Sequence, residues 1–504
     1  MNPIDYHALA PELILAVTVL ATLGVDLITR RKSLAAITAM VGMFAALVPV
    51  LTLAFCENLE FCTATGSERS LFGGSFVVDG YALVLQGIFI FAGFVVLLLS
   101  VGFLETDRYY EGEYYFLIVS AVLGAAAMAA SRDFISMIVA LEIVSGSGFL
   151  LAGWRKGDPK SNEASLKFFI IGVLALALML FGVSLLYGVT GSQQFSEIAA
   201  AADGVKDLAL FNLGVIFVLL GFGFKVSAVP FHFWTPDVYE GSPTPVTAWL
   251  SVGSKGAGFV GLLSVCYLAL PSVADLWGPV LWVVAALSMT IGNVVAIKQT
   301  NVIRLLGFSS IAQAGFMLAP FGAAAAAGAD LGQAFSATVT YLAIYAVMNL
   351  GAFAVVIIIG SRVGSYELDE WGGLNRYAPG LALTLAVMFM SLAGIPPLAG
   401  WYAKFAMFSA TIGVGAWWGY SIAIVAALNS VVALVYYLKV VKGPFFDPVS
   451  DAVDRAGHER AETPAPIGFA LGLTTIGVFV LGVFPGLAAN LGNFSSELLE
   501  AIGL

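Results

Sequence analysis

Four ionisable side chains stand inside long apolar runs of this sequence: Glu142, Lys225, Lys255 and Lys404. Where such runs lie in lipid, a charge at mid-membrane costs about 2.5–3.5 kcal/mol on insertion scales, so a residue kept there is functional by default. Burial disfavours the charged form of a lysine or a carboxylate, and a nearby opposite charge favours it. A buried lysine beside a glutamate is therefore a proton switch: when the carboxylate withdraws, the lysine can release its proton. Lysine suits this task because it gives up its charge on burial, which arginine does not. Ser145 and Gly146 stand three and four residues after Glu142, on the same helix face, where they leave room for Lys225 or water. The competing reading of Glu142 and Lys225 is a static ion pair that holds helices together. For Lys255 and Lys404 it is snorkelling to an interface. Lys167, near a predicted helix start, is a weaker candidate of the same kind. His232 follows Pro230 at the edge of a run; imidazole suits proton relay, though a hydrogen-bonded histidine at a helix end is equally consistent. His7 and His458 read as ordinary loop residues.

Polar side chains also fall at helical spacing. Thr338, Tyr341, Tyr345 and Asn349 share one face, and Thr290 and Asn293 make a shorter pair. Such stripes either hold ordered water for proton transfer or bond neighbouring helices together, and both readings stay open here. Redox motifs are missing. Gly221-Phe-Gly-Phe-Lys-Val lacks the third glycine of a dinucleotide fingerprint, and no phosphate loop, HExxH or nucleophile elbow occurs. The three cysteines, Cys56, Cys62 and Cys266, form no CxxC and no Cys–His cluster, so iron–sulfur and structural zinc sites lack ligands. The expectation is a chain that itself binds no nucleotide, flavin or metal. Cys56 and Cys62 flank one loop, where a disulfide and unpaired thiols are both open.

The elements that must position these residues follow from composition. The sequence is 60% hydrophobic and only 11% charged, with a mean hydropathy of +0.95. A soluble domain carries about 25% charged residues, so most of this surface must face lipid. The net charge of −10 argues against nucleic acid as a partner, which needs clustered Lys and Arg. A membrane span takes about 20 apolar residues. Candidate spans begin near residues 10, 34, 78, 114, 134, 166, 210, 244, 278, 305, 334, 381, 417 and 467, giving an all-α membrane protein of about fourteen helices. The first has no basic segment before it and reads as a span, not a cleavable signal.

Two runs are longer than a straight span needs. Residues 210–234 hold Lys225 and Pro230; residues 381–412 hold Gly394, Pro396, Pro397, Gly400 and Lys404. Proline removes a backbone hydrogen bond and kinks a helix. Broken helices survive in a membrane only where protein or trapped water satisfies the freed groups, so both breaks point to an internal polar pathway. Orientation follows from the basic residues. Arg30, Arg31 and Lys32 place the first loop in the cytoplasm. Alternation then puts 15 of the 22 Lys and Arg on the cytoplasmic side, Arg108 and Arg460 among them. Only Arg69, Arg132 and Lys206 fall outside, and both termini face outward. Residues 442–466, charged and proline-flanked, read as a solvated cytoplasmic connector.

Three stretches resemble one family. They are Phe224-Lys-Val-Ser-Ala-Val-Pro-Phe-His-Phe-Trp-Thr-Pro-Asp-Val-Tyr-Glu-Gly-Ser-Pro-Thr-Pro-Val-Thr, Lys298-Gln-Thr-Asn-Val-Ile-Arg-Leu-Leu-Gly-Phe-Ser-Ser-Ile-Ala-Gln-Ala-Gly, and Ser391-Leu-Ala-Gly-Ile-Pro-Pro-Leu-Ala-Gly-Trp-Tyr-Ala-Lys-Phe. The chain resembles the antiporter-like, proton-conducting membrane subunits of bacterial NADH-quinone oxidoreductase (respiratory complex I). The wording Asp237-Val-Tyr-Glu-Gly favours the subunit N branch, counterpart of mitochondrial subunit 2. The resemblance implies two inverted five-helix repeats, each with a broken helix. It divides the chain into N-terminal spans (1–113), a first repeat (114–270), a second repeat (271–442), and a connector with a last span (443–504). It matches Glu142 and Lys225 to the family's switch pair, Lys255 to its central lysine, and Lys404 to the residue that exchanges protons with the outside. It implies NAD, FMN, iron–sulfur clusters and quinone in partner subunits, with neighbours M, K, J and A, in a bacterial inner membrane whose outer side is periplasmic. The rival readings are a subunit of a multisubunit cation/proton antiporter, driven by ion gradients, and a structural membrane subunit that conducts nothing.

Overall fold

The computed structural model describes residues 5–29, 31–56, 69–104, 112–326, 328–458 and 463–501. Arg30, Cys62, Arg108 and Arg460 lie outside the described residues. The spans begin with α1 (Ala10–Thr29), α2 (Lys32–Ala54), α3 (Gly80–Leu104) and α4 (Glu113–Ala130), followed by α5 (Phe134–Ala152) and α6 (Pro159–Thr190). A short helix, α7 (Phe195–Val205), leads to a broken span made of α8 (Ala209–Lys225) and α9 (Thr235–Gly241). The next span, Thr244–Ala269, contains α10 (Thr244–Trp249) and α11 (Lys255–Leu263), with π-helical turns at Leu250–Ser254 and Ser264–Ala269. Then come α12 (Ala274–Ile297), α13 (Val302–Ala323) and α14 (Leu331–Val363), and a second broken span of α15 (Pro379–Ala393) and α16 (Gly400–Gly413). The chain closes with α17 (Trp417–Phe446), α18 (Asp451–His458), α19 (Ala465–Val483) and α20 (Gly486–Ala501). Among the described residues, 12 helices are long and apolar enough to cross a membrane; the two broken spans bring the bundle to fourteen, at the places hydropathy set.

Local chemistry explains where these helices start. Asp133, Asp158, Asn301 and Asp330 cap α5, α6, α13 and α14 by accepting from backbone N–H groups of the first turn. Pro159 at the first helical position extends α6 about two turns before the expected start near residue 166. Lys160, Glu163 and Lys167 are therefore helical. The span Thr244–Ala269, α13 and α14 are almost wholly buried and form the axis of the bundle. Peripheral α1, α6, α12 and α17 turn Leu, Ile, Phe and Trp side chains outward, as lipid-facing helices do.

Each break satisfies its freed backbone groups with protein. At the first, the Val229 N–H donates to Ser288 Oγ of α12 at 2.9 Å, and Ser227 holds a left-handed φ of 59°. At the second, Gly394 ends α15 with φ 91°, a conformation that glycine adopts without penalty. Beyond it the Ala399 N–H donates to the Val478 carbonyl of α19 at 3.0 Å, and the Gly400 N–H to Ser391 Oγ at 3.2 Å.

Three features depart from the sequence reading. Arg69–Leu71 and Phe76–Val78 pair as a short antiparallel hairpin, a small exception to an all-α chain. The connector is not simply solvated: Ala452 and Val453 of α18 are buried, and Ser450 bonds the Glu370 carbonyl at 2.6 Å. These are two adjacent side chains in a short, otherwise mostly charged helix, a signal that charge counting overlooks. Finally, α20 follows the last span and packs on α14 and α3. Cys56 is disulfide-bonded, and Cys266 is a buried free thiol.

Two glycines test the tightness of this packing. A Cβ on Gly400 would stand 1.8 Å from the Ser391 carbonyl oxygen, whereas a Cβ on Gly146 would meet nothing within 4 Å. Overpacking costs about 1–3 kcal/mol when neighbours can yield, and a backbone carbonyl at a helix end yields little. Gly400→Ala should lower the yield and thermal midpoint of purified protein, and Gly146→Ala should leave both near wild type. Equal behaviour of the two variants would contradict the geometry.

Candidate functional site

Three lysines lie inside the bundle, 4%, 2% and 6% exposed: Lys225, Lys255 and Lys404. Among the described residues none of them forms an ion pair. Lys225 is the last residue of α8, so its ammonium sits at a helix C-terminus, where the backbone dipole favours a cation. Its Nζ donates to the Ser145 hydroxyl of α5 at 2.9 Å. That hydroxyl donates to the Leu141 carbonyl at 2.8 Å. Glu142, on the same helix, is half-buried; its carboxylate bonds the same Ser145 hydroxyl and attracts the Lys225 ammonium without direct contact. The open space beside Gly146 leaves the carboxylate room to move.

Lys255 begins α11, just after a π-helical turn of the kind that often marks functional positions. Its Nζ donates to the Ser310 carbonyl at 2.8 Å and to Ser310 Oγ at 2.5 Å. The same hydroxyl meets Tyr239 of α9 at 3.3 Å and Tyr345 of α14 at 3.1 Å. One turn before Lys255, Ser251 Oγ accepts from Asn349 at 2.7 Å. A second cluster centres on the adjacent serine. Ser309 Oγ and Tyr437 OH of α17 are 2.6 Å apart. Gln313 Nε2 donates to Tyr437 OH and to the Leu392 carbonyl, both at 3.1 Å. Tyr341 OH donates to Gln313 Oε1 at 2.5 Å. Lys404 meets α13 further along, at Phe316, three residues past Gln313. Its Nζ donates to the Ala393 carbonyl at 2.7 Å and lies 4.9 Å from the centre of the Phe316 ring. The carbonyls of Leu392 and Ala393 end α15, so the second break also turns a helix C-terminus toward an ammonium.

The stripe on α14 thus splits: Tyr345 and Asn349 reach the Lys255 cluster, Tyr341 reaches Gln313, and Thr338 bonds the Ala334 carbonyl of its own helix. Thr290 and Asn293 fasten α12 to α17 through Asn429 and Tyr436. His232 lies in the first break, with its Nδ1 buried and unpartnered. Ser227 Oγ, Trp234 Nε1 and Thr235 Oγ1 are in the same state, and buried polar groups of this kind call for water. His7 bonds Thr52 at 2.8 Å. Lys167 stands apart from the three buried lysines, in a network of ion pairs. It bonds Glu163 at 2.5 Å and Asp237 at 2.6 Å. Arg304 of α13 bonds Asp237 at 2.9 Å and Glu240 at 2.8 Å, and Lys160 bonds Glu240 at 2.8 Å. The network ties α6, α9 and α13 together at one end of the bundle.

Sequence reasoning missed Ser309, Ser310, Gln313 and Tyr437 as parts of this site. A signal was there for two of them: Ser310 and Gln313 stand three residues apart in the middle of a mostly apolar helix. What they face comes from α14, α15 and α17, distant in sequence.

The family described as NADH:quinone oxidoreductase/Mrp antiporter, TM, matches residues 131–429. The chain is 40% identical to "NADH-quinone oxidoreductase subunit N 2" of Streptomyces griseus, over 96% of this chain and 92% of that one. It superposes with a chain of respiratory complex I from Thermus thermophilus with bound aureothin at a TM-score of 0.75 and 30% identity, covering 95% and 98% of the two. It also shares its fold with a chain of the Mrp complex from Dietzia sp. DQ12-45-1b, at a TM-score of 0.84 and 20% identity over 99% and 98%.

The ion-pair network gives a direct stability test. Lys160 is 70% exposed on its side chain, and a pair of that kind contributes about 0–1 kcal/mol. Arg304 bridges two carboxylates in a less exposed position. Arg304→Ala should therefore lower the thermal midpoint of the purified protein clearly more than Lys160→Ala, measured by tryptophan fluorescence. A larger effect from Lys160→Ala would show that the network does not hold α9.

Proposed function

Because this chain belongs to the NADH:quinone oxidoreductase/Mrp antiporter family, on its subunit N branch, we propose that Lys225, Lys255 and Lys404 carry protons through it. It is a membrane subunit of NADH:quinone oxidoreductase, a proton-translocating complex, and works with the other subunits of complex I. The observation that carries the residue assignment is the burial of three ammonium groups with hydroxyls and carbonyls as partners instead of carboxylates. A lysine held that way can lose its proton without leaving a carboxylate stranded.

In this reading quinone reduction elsewhere in the complex moves the Glu142 carboxylate toward or away from Lys225. The Ser145 hydroxyl, already bonded to Lys225, is the contact that an approaching carboxylate would replace. The change at Lys225 alters the proton affinity of Lys255, whose proton rests against Ser310. Lys404 passes the proton outward. His232 and its unpartnered neighbours in the first break are the place where water would supply protons. Lys167 acts by positioning: it holds Asp237 on α9, and α9 carries Tyr239 to Ser310. The two broken spans support a division into N-terminal spans (1–113), two repeats (114–270 and 271–442) and a connector with the last span (443–504).

The chain supplies no redox group in this scheme. NAD, FMN, iron–sulfur clusters and quinone belong to partner subunits, with M, K, J and A as membrane neighbours. The bias of basic residues supports a bacterial inner membrane location with both termini on the periplasmic side.

The test is the purified complex in proteoliposomes, with the proton gradient read against NADH oxidised. A positioned proton-transfer group contributes about 10²–10⁴-fold to its step, so Lys225→Ala and Lys404→Ala should assemble but abolish transport through this subunit. Full pumping by both assembled variants would sink the assignment. Ser310→Ala should slow pumping and Ser310→Thr should keep it, since threonine retains the hydroxyl; identical rates would remove Ser310 from the path. A gradient that required sodium would favour the antiporter reading instead.

A further inference from the structure

The hydroxyls that surround Lys255 do not continue to Lys404. Along α13, Lys255 meets Ser310 and Lys404 meets Phe316; Gln313 stands between these two positions, and its amide is fully engaged. Both Nε2 hydrogens are spent, on Tyr437 OH and the Leu392 carbonyl, and Oε1 accepts from Tyr341. Side-chain amides are donors and acceptors, but they do not titrate. A hydroxyl can take a proton on one side and release its own on the other. An amide can do so only through its imidic acid form, which is strongly disfavoured. Gln313 therefore carries hydrogen bonds without carrying protons.

The orientation of the amide is fixed by the break. The Leu392 carbonyl can only accept, so Nε2 must face it and Oε1 must face Tyr341. Tyr437 OH, receiving from Gln313, has its own hydrogen free for Ser309 or Tyr436. One turn along α13 stands Phe316, whose ring faces the Lys404 ammonium. What α13 turns toward Lys404 is thus a benzene ring, which does not titrate, with the Gln313 amide three residues before it. On the other side Lys404 is held by Ala393, the residue next to Leu392.

We propose that Gln313 is the proton barrier between the Lys255 cluster and Lys404, keyed to the second broken helix through the Leu392 carbonyl. With α15 in place the amide is locked and the path is interrupted. A shift of the break that withdraws the Leu392 carbonyl frees Nε2, lets the amide turn, and opens the interval to water and protons. The two consecutive carbonyls make this shift common to both groups: what releases Gln313 also loosens Lys404. The inference rests on the lysine pathway proposed above and adds the element that prevents a passive leak along it.

The experiment uses the purified complex in proteoliposomes without NADH, with a potential imposed across the membrane and passive proton conductance measured. Gln313→Glu places a carboxyl in the gap, which can take a proton on one oxygen and release one from the other. It should raise passive conductance several-fold and lower the gradient formed per NADH, with NADH oxidation retained. Gln313→Leu should lower the gradient with no leak. Tyr341→Phe removes the donor to Oε1 without adding a titratable group, and should raise conductance less than Gln313→Glu does. Unchanged conductance in both Gln313→Glu and Tyr341→Phe, or full pumping by Gln313→Leu, overturns the barrier. Lys404→Ala in the same assay separates the two ideas. If it pumps fully, the lysine pathway itself has failed; if it does not pump while Gln313→Glu shows no leak, only the barrier falls.

Discussion

An ammonium group inside a membrane must be given oxygen atoms, and the choice of those atoms governs this structure. A carboxylate partner would fix the charge, since breaking a buried ion pair costs about 3–5 kcal/mol. Here Lys225, Lys255 and Lys404 are given hydroxyls and backbone carbonyls instead. Such oxygens can accept from an ammonium and remain satisfied when the nitrogen becomes neutral. Among the described residues the ion pairs lie elsewhere, the Lys160–Arg304 network and the Asp79–Arg132 pair at 2.6 Å among them. There they hold helices in place and are not asked to change charge.

The supply of free carbonyls explains why the helices are broken. An intact membrane helix spends its carbonyls on its own N–H groups and offers little to a cation. Stopping α8 at Lys225 and α15 at Ala393 exposes two helix C-termini within the bundle. The second gives the Ala393 carbonyl to the Lys404 ammonium, as the unwound helices of transporters do toward cations. The cost is a set of unpaired N–H groups beyond each break, and neighbouring helices offset it through Ser288 and Val478. Gly394 is needed at the second stop twice over. Its left-handed backbone suits glycine, and a Cβ there would lie 2.8 Å from Cδ of Lys404.

The same break connects the two ends of the site. Leu392 and Ala393 hold Gln313 and Lys404 through adjacent carbonyls, so α15 cannot move without changing both. On the other flank α9 is held by Asp237 and Glu240 and places Tyr239 against Ser310. Both half-helices therefore act on α13, the helix that presents Ser309, Ser310 and Gln313 in succession. Conformational change at either break reaches the proton path through side chains of one helix.

Much of this was set by the sequence alone. Hydropathy fixed the number and position of the spans, because lipid requires a long apolar run wherever a helix crosses. Proline and glycine marked both breaks, since neither residue continues a helix without cost. The buried lysines were legible for the same reason: a charge inside an apolar run is rare enough to be noticed. Contacts between distant segments were not legible. Nothing in the spacing of Glu142 and Lys225 says that Ser145, not Glu142, takes the lysine. Nor does it say that Gln313 stands between two lysines, because its partners come from residues 341, 392 and 437. The partial burial of the connector and the presence of α20 were not legible because each is short or mixed in character, and packing on α14 and its neighbours gives them a place. Sequence determined which residues must be hidden from water and lipid; the tertiary structure decided which hidden groups meet, since that depends on helix orientation and not on composition.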